Sequence, residues 1–220
     1  MGREALEPSI QAGLRTNAPN FVVLTTFVLY CQCINVFFMD PKLILERLER
    51  FLGAKPLVPS DVFVAPNATV VGKVSVGSRS SIWFQSVIRA DINEIRIGSE
   101  TNIQDGSILH VADQYSLTIG DQVTCGHRAI LHACLVQDRV LIGMNATLMD
   151  GAEIGTGSII GAGALVTKGS VIPRCSLVLG SPARVIRMLT GDEEKGIAEL
   201  AAKYVFVAKR YLEMGSIHGA

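Results

Sequence analysis

From Val64 onward, apolar residues return at every sixth position. The series Val64, Val70, Val76, Ile82 and Ile88 pauses for three extra residues, resumes at Ile97, Ile103 and Leu109, and pauses again over residues 111–116 before Ile119. A longer run then reads Ile130, Val136, Ile142, Leu148, Ile154, Ile160, Val166, Ile172 and Val178. An α-helix repeats every 3.6 residues and a half-buried strand every two, so neither produces this beat. A solenoid does: each six-residue unit supplies a short strand and a corner, the beat residue points inward, and stacked coils bury a column that no single coil buries alone. Glycine follows the beat at Gly77, Gly98, Gly120, Gly143, Gly155 and Gly161, where a corner calls for positive φ or close backbone approach. The expected class is therefore an all-β solenoid.

Helices flank the repeat. Pro41 suits the first position of a helix capped by Asp40, with Leu43, Ile44, Leu48, Phe51 and Leu52 as an apolar stripe and Gly53 as its stop. At the other end Thr190 and Glu193 stand at capping-box spacing. Ile197, Leu200, Ala201, Tyr204, Ala208, Tyr211 and Leu212 form the stripe of a C-terminal helix that ends at Gly215. The chain divides into a leader (1–38), a short helix and linker (39–56), the solenoid (57–189), the C-terminal helix (190–215) and a tail (216–220) that holds His218. Residues 21–39 carry no charge, and their length is close to the roughly 20 residues that span a bilayer as a helix. Three readings of the leader stand open: an extraneous extension upstream of an initiator at Met39, a membrane anchor, or a targeting segment.

The charge balance, 20 basic against 20 acidic residues, recommends neither nucleic acid nor an anionic membrane surface as partner. A membrane enters only if residues 21–39 are an anchor. Cys31, Cys33, Cys125, Cys134 and Cys175 form no CxxC pair. An odd number of cysteines reads as free thiols of a reducing compartment, here the cytoplasm, with Cys125 and Cys134 as small apolar fillers rather than ligands.

The chemistry concentrates in HVADQYSLTIGDQVTCGHRAILH, residues 110–132, which contains three of the four histidines. Three imidazoles leave a fourth coordination position open on a divalent metal, which is the count of a catalytic site. With about four residues discounted for the loop at 111–116, His110 and His132 lie roughly one coil apart and stack on one face. His127 comes five residues before His132 and leaves the solenoid at another edge. It cannot complete a site with the other two in one chain, whereas side-by-side packing of solenoids brings it to the His110 and His132 of a neighbour.

The repeat resembles the hexapeptide-repeat, left-handed parallel β-helix proteins, which usually assemble as trimers and many of which are acyltransferases. SSIWFQSVIRADINEIRIGSETNIQDGSILH and IGDQVTCGHRAILHACLVQDRVLIGMNATLMDGA are more specifically similar to the γ-class carbonic anhydrase family, over about residues 57–190. That resemblance implies a homotrimer with metal ligands His110, His127 and His132, one divalent metal per site, zinc first with iron or cobalt also suited, and reversible hydration of carbon dioxide to bicarbonate by a metal-bound hydroxide. It places Arg89 and Asp105 in an inter-subunit salt bridge and gives Gln104 the task of orienting hydroxide and substrate, with Asp91 and Asn102 as supporting polar neighbours. Trp83 and Phe84 read as packing residues. The family's faster enzymes carry an acidic loop with a proton-shuttling glutamate near the first ligand; here residues 111–116 offer only Asp113, so low turnover is expected. Two alternatives stand beside this reading: an acyltransferase using His110 or His132 as base, and a non-catalytic trimeric scaffold.

Overall fold

Short parallel strands stack along three faces of a solenoid, and each pairs with the strand one coil before and one coil after it. The structure, a computed structural model, describes residues 40–215. The leader, Met39 and the tail with His218 lie outside the described residues. The first face runs through Phe63–Val64, Ser81–Ile82, Asn102–Ile103, Thr124–Cys125, Leu141–Ile142, Ile159–Ile160 and Ser176–Gly180. The second carries Ile108–His110, Ile130–His132, Thr147–Leu148 and Leu165–Val166. The third carries Leu117–Ile119, Leu135–Val136, Glu153–Ile154 and Val171–Ile172. Two longer strands, Thr69–Val76 and Val87–Ile97, bend around an edge to serve both the second and third faces. This is the expected left-handed parallel β-helix.

The beat residues form the core. Val136, Ile142, Leu148, Ile154, Ile160, Val166, Ile172 and Val178 are all buried, continuous with Ile82, Ile88, Ile97, Ile103, Leu109 and Ile119. Fully burying one such side chain stabilises the fold by roughly 1.5–3 kcal/mol. The beat fails at one place. Ile130 is 39% exposed, and Cys125 and Leu131, both at 0%, occupy the column instead. The corner after Leu131, turned at Ala133 with φ 50°, is one residue shorter than its neighbours, so the column passes from Leu131 to Val136 in five steps. A strict count of six back from Val136 therefore lands on the outward Ile130.

The corners separate two uses of glycine. Those directly after the beat are needed for close approach: a Cβ on Gly143 would stand 2.4 Å from the backbone nitrogen of Ala162 in the next coil. The positive-φ position comes later in the corner, and there Arg79, Gln122 and Asn145 do the same work as Gly163 and Gly169.

The C-terminal helix spans Gly191–Met214 and closes its first turn as expected. Glu193 N–H donates to Thr190 Oγ1 at 3.3 Å, and Thr190 N–H donates to Glu193 Oε2 at 2.9 Å. Arg187 grips the same carboxylate with two 2.8 Å bonds, which together with the Thr190 contacts hold the Glu193 pKa down at about 2. Ile197, Ala201 and Ala208 are buried, and Tyr204 and Tyr211 pack edge-on against Trp83. Trp83 and Phe84 are packing residues, as read. The N-terminal helix, Pro41–Phe51, uses less of its stripe than expected. Phe51 is buried and Leu48 half-buried, but Leu43, Ile44 and Leu52 are exposed, because only the last turns of the helix rest on the solenoid. Among the described residues no helix is long and apolar enough to cross a membrane.

The two corner types predict different costs. Gly143→Ala forces backbone apart and is expected to lose about 3 kcal/mol in urea unfolding, whereas Gly169→Ala, in a conformation that Arg79 and Asn145 already adopt, loses about 1 kcal/mol. Equal losses would refute the division.

Candidate metal centre

Coil register brings the histidines together. Arg89 pairs with His110 and His110 with His132 along the second face, so three side chains stack at the same edge of successive coils. His110 Nδ1 and His132 Nε2 face each other at 3.1 Å. Their other nitrogens are engaged: His110 Nε2 lies 3.0 Å from Asp91 Oδ1, and His132 Nδ1 lies 2.5 Å from Asp150 Oδ1. An ionised carboxylate only accepts, so the network assigns the ring protons to those engaged nitrogens. Two bare lone pairs then point at one another, an arrangement that is repulsive unless a proton or a cation stands between them. The gap is short enough for both nitrogens to reach one ion at the ~2.0–2.1 Å of a metal–imidazole bond.

His127 lies at the opposite edge of the second face, on the corner between Thr124–Cys125 and Ile130–His132. Its Nδ1 is 2.8 Å from Asp105 Oδ2. All three histidines thus share one pattern: a carboxylate takes one ring nitrogen, fixes the tautomer and leaves the other basic, which is how protein metal ligands are ordinarily oriented. The donor set therefore fits a divalent metal. Among the described residues no three His, Cys, Asp or Glu side chains of a single chain converge on one point.

Electrostatics agree with that division of labour. Burial lowers the His110 pKa, only partly offset by the bond to Asp91, so the ring is neutral at pH 7 and its lone pair is free. Burial raises the Asp91 carboxyl, but the bonds from His110 and Arg89 together outweigh it and leave the pKa below its ordinary value. Arg89 pairs with Asp91 within the chain. Gln104 is buried and donates through Nε2 to Asn102 Oδ1 at 3.1 Å, while Asn102 donates to Thr124 Oγ1 at 2.9 Å. That leaves the Gln104 amide one donor hydrogen and its carbonyl for another partner. Cys125 and Cys134 are buried, and desolvation pushes both thiols up, Cys125 to about 12, so they pack as neutral fillers.

Asp150 is a residue that the sequence reading missed. A signal was available, since Asp150 lies 18 residues after His132, one full coil, where register makes it a direct neighbour. Asp91, expected beside Gln104, bonds Arg89 and His110 instead. Asp113, the one acid of the short loop, is tied through its backbone: Arg47 donates to its carbonyl at 2.7 Å and lies 3.7 Å from its carboxylate.

Residues 133–168 match the bacterial transferase hexapeptide (six repeats) family. The chain is 43% identical to gamma carbonic anhydrase 2, mitochondrial, of Arabidopsis thaliana over 74% of its own length, spanning 61% of that protein. It is 47% identical to a carbonic anhydrase of Geobacillus kaustophilus, over 73% of this chain and 88% of that one. The crystal structure of a hexapeptide transferase family protein from Anaplasma phagocytophilum superposes with a TM-score of 0.69 at 37% identity, over 72% of this chain and 94% of that one.

Asp150→Asn keeps the size of the side chain and removes its charge. It is expected to weaken divalent-metal binding about 10–100-fold in chelator competition, with the fold intact by circular dichroism. Unchanged affinity would remove Asp150 from the site.

Proposed function

The chain belongs to the γ-class carbonic anhydrase family, and on that premise we propose that it reversibly hydrates carbon dioxide to bicarbonate and a proton at metal sites shared between subunits of a homotrimer. One observation carries the reading: His110 and His132 turn free nitrogens toward a common point, while His127, with the same carboxylate orientation, faces out at another edge. His127 of the partner subunit supplies the third imidazole, which makes one site per pair of neighbours and three per trimer.

When bound, the divalent metal, zinc first with iron or cobalt also suited, supplies the Lewis acidity that makes hydroxide available from water near neutral pH, the behaviour for which carbonic anhydrases are known. The chain's own residues do the rest. Asp91, Asp150 and Asp105 hold the three rings in one tautomer each. Gln104, locked by Asn102, turns its amide toward the reacting oxygens and can both donate and accept there. Arg89 bridges to Asp105 of the partner subunit, ordering the interface that completes the site. Ile108 and Ile130, paired across adjacent coils and exposed on the second face between the two histidine edges, give that interface an apolar centre.

Proton release is the slow part. The loop after His110 offers no glutamate to carry the proton to solvent, and its one acid, Asp113, has Arg47 3.7 Å away. Low turnover follows. The likeness to a hexapeptide transferase favours one further reading, acyl transfer with the Asp150-oriented His132 as base, which requires a coenzyme A groove and survives chelators. The non-catalytic scaffold keeps trimer and metal without turnover. Free buried thiols fit a reducing compartment such as the cytoplasm; the Arabidopsis relative is called mitochondrial.

Stopped-flow carbon dioxide hydration, with His132→Ala protein as background, tests the activity. A rate that is abolished by the substitution and by chelation is expected, and a metal-loaded trimer with no rate above background would refute the enzyme. Sharing of the site has its own check. His127→Ala and His132→Ala proteins, each inactive alone, are expected to regain part of their metal sites when mixed into hybrid trimers, and proven hybrids that regain none would refute ligation across subunits. For the interface, Ile130→Glu is expected to leave the coil folded and shift sedimentation from trimer toward monomer.

A further inference from the structure

The loop at residues 111–116 is short and carries no glutamate, yet it closes on itself and is tied to two segments that lead back to the histidines. Ala112 N–H donates to the Tyr115 carbonyl at 3.0 Å, closing the loop on itself. Asn93 Nδ2 donates to the Ala112 carbonyl at 3.1 Å, which fastens the loop to the segment carrying Asp91. At the other end the Tyr115 ring lies over Gly151, where an added Cβ would stand 3.4 Å from it, and Gly151 is the residue after Asp150. The loop therefore touches both segments that hold the carboxylates of His110 and His132.

Arg47, on the N-terminal helix, pins the assembly from outside. Its Nη1 donates to the Asp113 carbonyl at 2.7 Å and to the Ile92 carbonyl at 3.2 Å, with the Asp113 carboxylate 3.7 Å away. One guanidinium thus joins the residue after Asp91 to the third residue after His110. All three contacts come from that one nitrogen, whose two hydrogens serve the two carbonyls while its charge faces the carboxylate.

We propose that Arg47 and Tyr115 are positioning residues, and that through them the 111–116 loop acts as a brace that fixes Asp91 and Asp150 and hence the two histidine rings. The inference rests on the metal-centre reading of His110 and His132. It assigns the N-terminal helix a role at the site, exerted through Arg47. The brace works through backbone carbonyls and a ring face, so the Tyr115 hydroxyl has no part in it. Tyr115→Phe is accordingly silent, whereas Tyr115→Ala and Arg47→Ala are not. Arg47→Lys, which keeps the charge and a donor nitrogen but on a more flexible, differently shaped side chain, falls between.

The test uses the full chain in two states. In metal-free protein, amide hydrogen exchange is read at residues 91–94 and 111–116. Arg47→Ala and Tyr115→Ala are expected to speed exchange there while the solenoid beyond Val136 keeps wild-type protection. In cobalt-loaded protein, the same two variants are expected to bind cobalt on the order of tenfold more weakly, the low end of the range for groups that orient ligands, with an altered visible absorption spectrum. Exchange that stays at wild-type rates overturns the brace. So does faster exchange with unchanged cobalt affinity and spectrum, since the loop would then be tied without positioning anything. A wild-type chain that takes up no cobalt would sink the metal-centre reading instead, and the metal-free exchange rates alone would then decide for or against the brace.

Discussion

Parallel pairing between successive coils decides which residues meet. Each strand donates to and accepts from its counterpart one coil away, so a side chain's neighbours are set by register rather than by sequence proximity. The aliphatic column depends on it, since Ile142, Ile160 and Val178 stack because their strands pair. So does the chemistry. The bonds that align Leu109 with Leu131 in the core align His110 with His132 outside it, one residue further along each strand. A slip of one residue in either strand would turn its histidine inward and expose its leucine, so core and site are held by the same bonds.

The polar surroundings follow from that stacking. Three imidazoles each bond one carboxylate, at 2.5–3.0 Å, and each carboxylate stands about one coil from its histidine. Such pairs make each ring a better donor at its free nitrogen, and they do so before any cation is bound. A single chain nevertheless arranges its three free nitrogens at two separate edges. On the proposed function, assembly would resolve that geometry, with metal affinity and subunit association stabilising each other by mass action.

Much of this was legible in the sequence because a period of six admits few folds. The solenoid, its end helices, the stacking of His110 on His132 and the separation of His127 all follow from counting. One error comes from the counting itself, which assumes equal corners. The short turn at Ala133 moved the beat from Ile130 to Leu131, and no residue type at 132–135 advertises it. Asp150 was legible in principle, one coil beyond His132, but a search by motif rather than by coil passes over it. Arg47 was not legible at all, since its bonds go to the backbone carbonyls of Ile92 and Asp113, which carry no mark in the side-chain sequence. The N-terminal stripe misled in the other direction: apolar residues at helical spacing signal a face, not how much of that face the solenoid can cover.

A loop beside a catalytic metal can be asked to do two things that conflict. A proton shuttle must swing between the site and solvent, so its acid has to be unpaired and its backbone free to move. A brace must do neither. In this chain the residue carrying the loop's only acid is bonded through its carbonyl to Arg47, the loop closes on itself between Ala112 and Tyr115, and both ends touch segments whose carboxylates bond His110 and His132. Those bonds favour stiffness over turnover. The missing glutamate is then more than the loss of a shuttle. On the proposed function, the same short loop would trade rapid proton export for ligands oriented in advance, favouring metal retention over turnover.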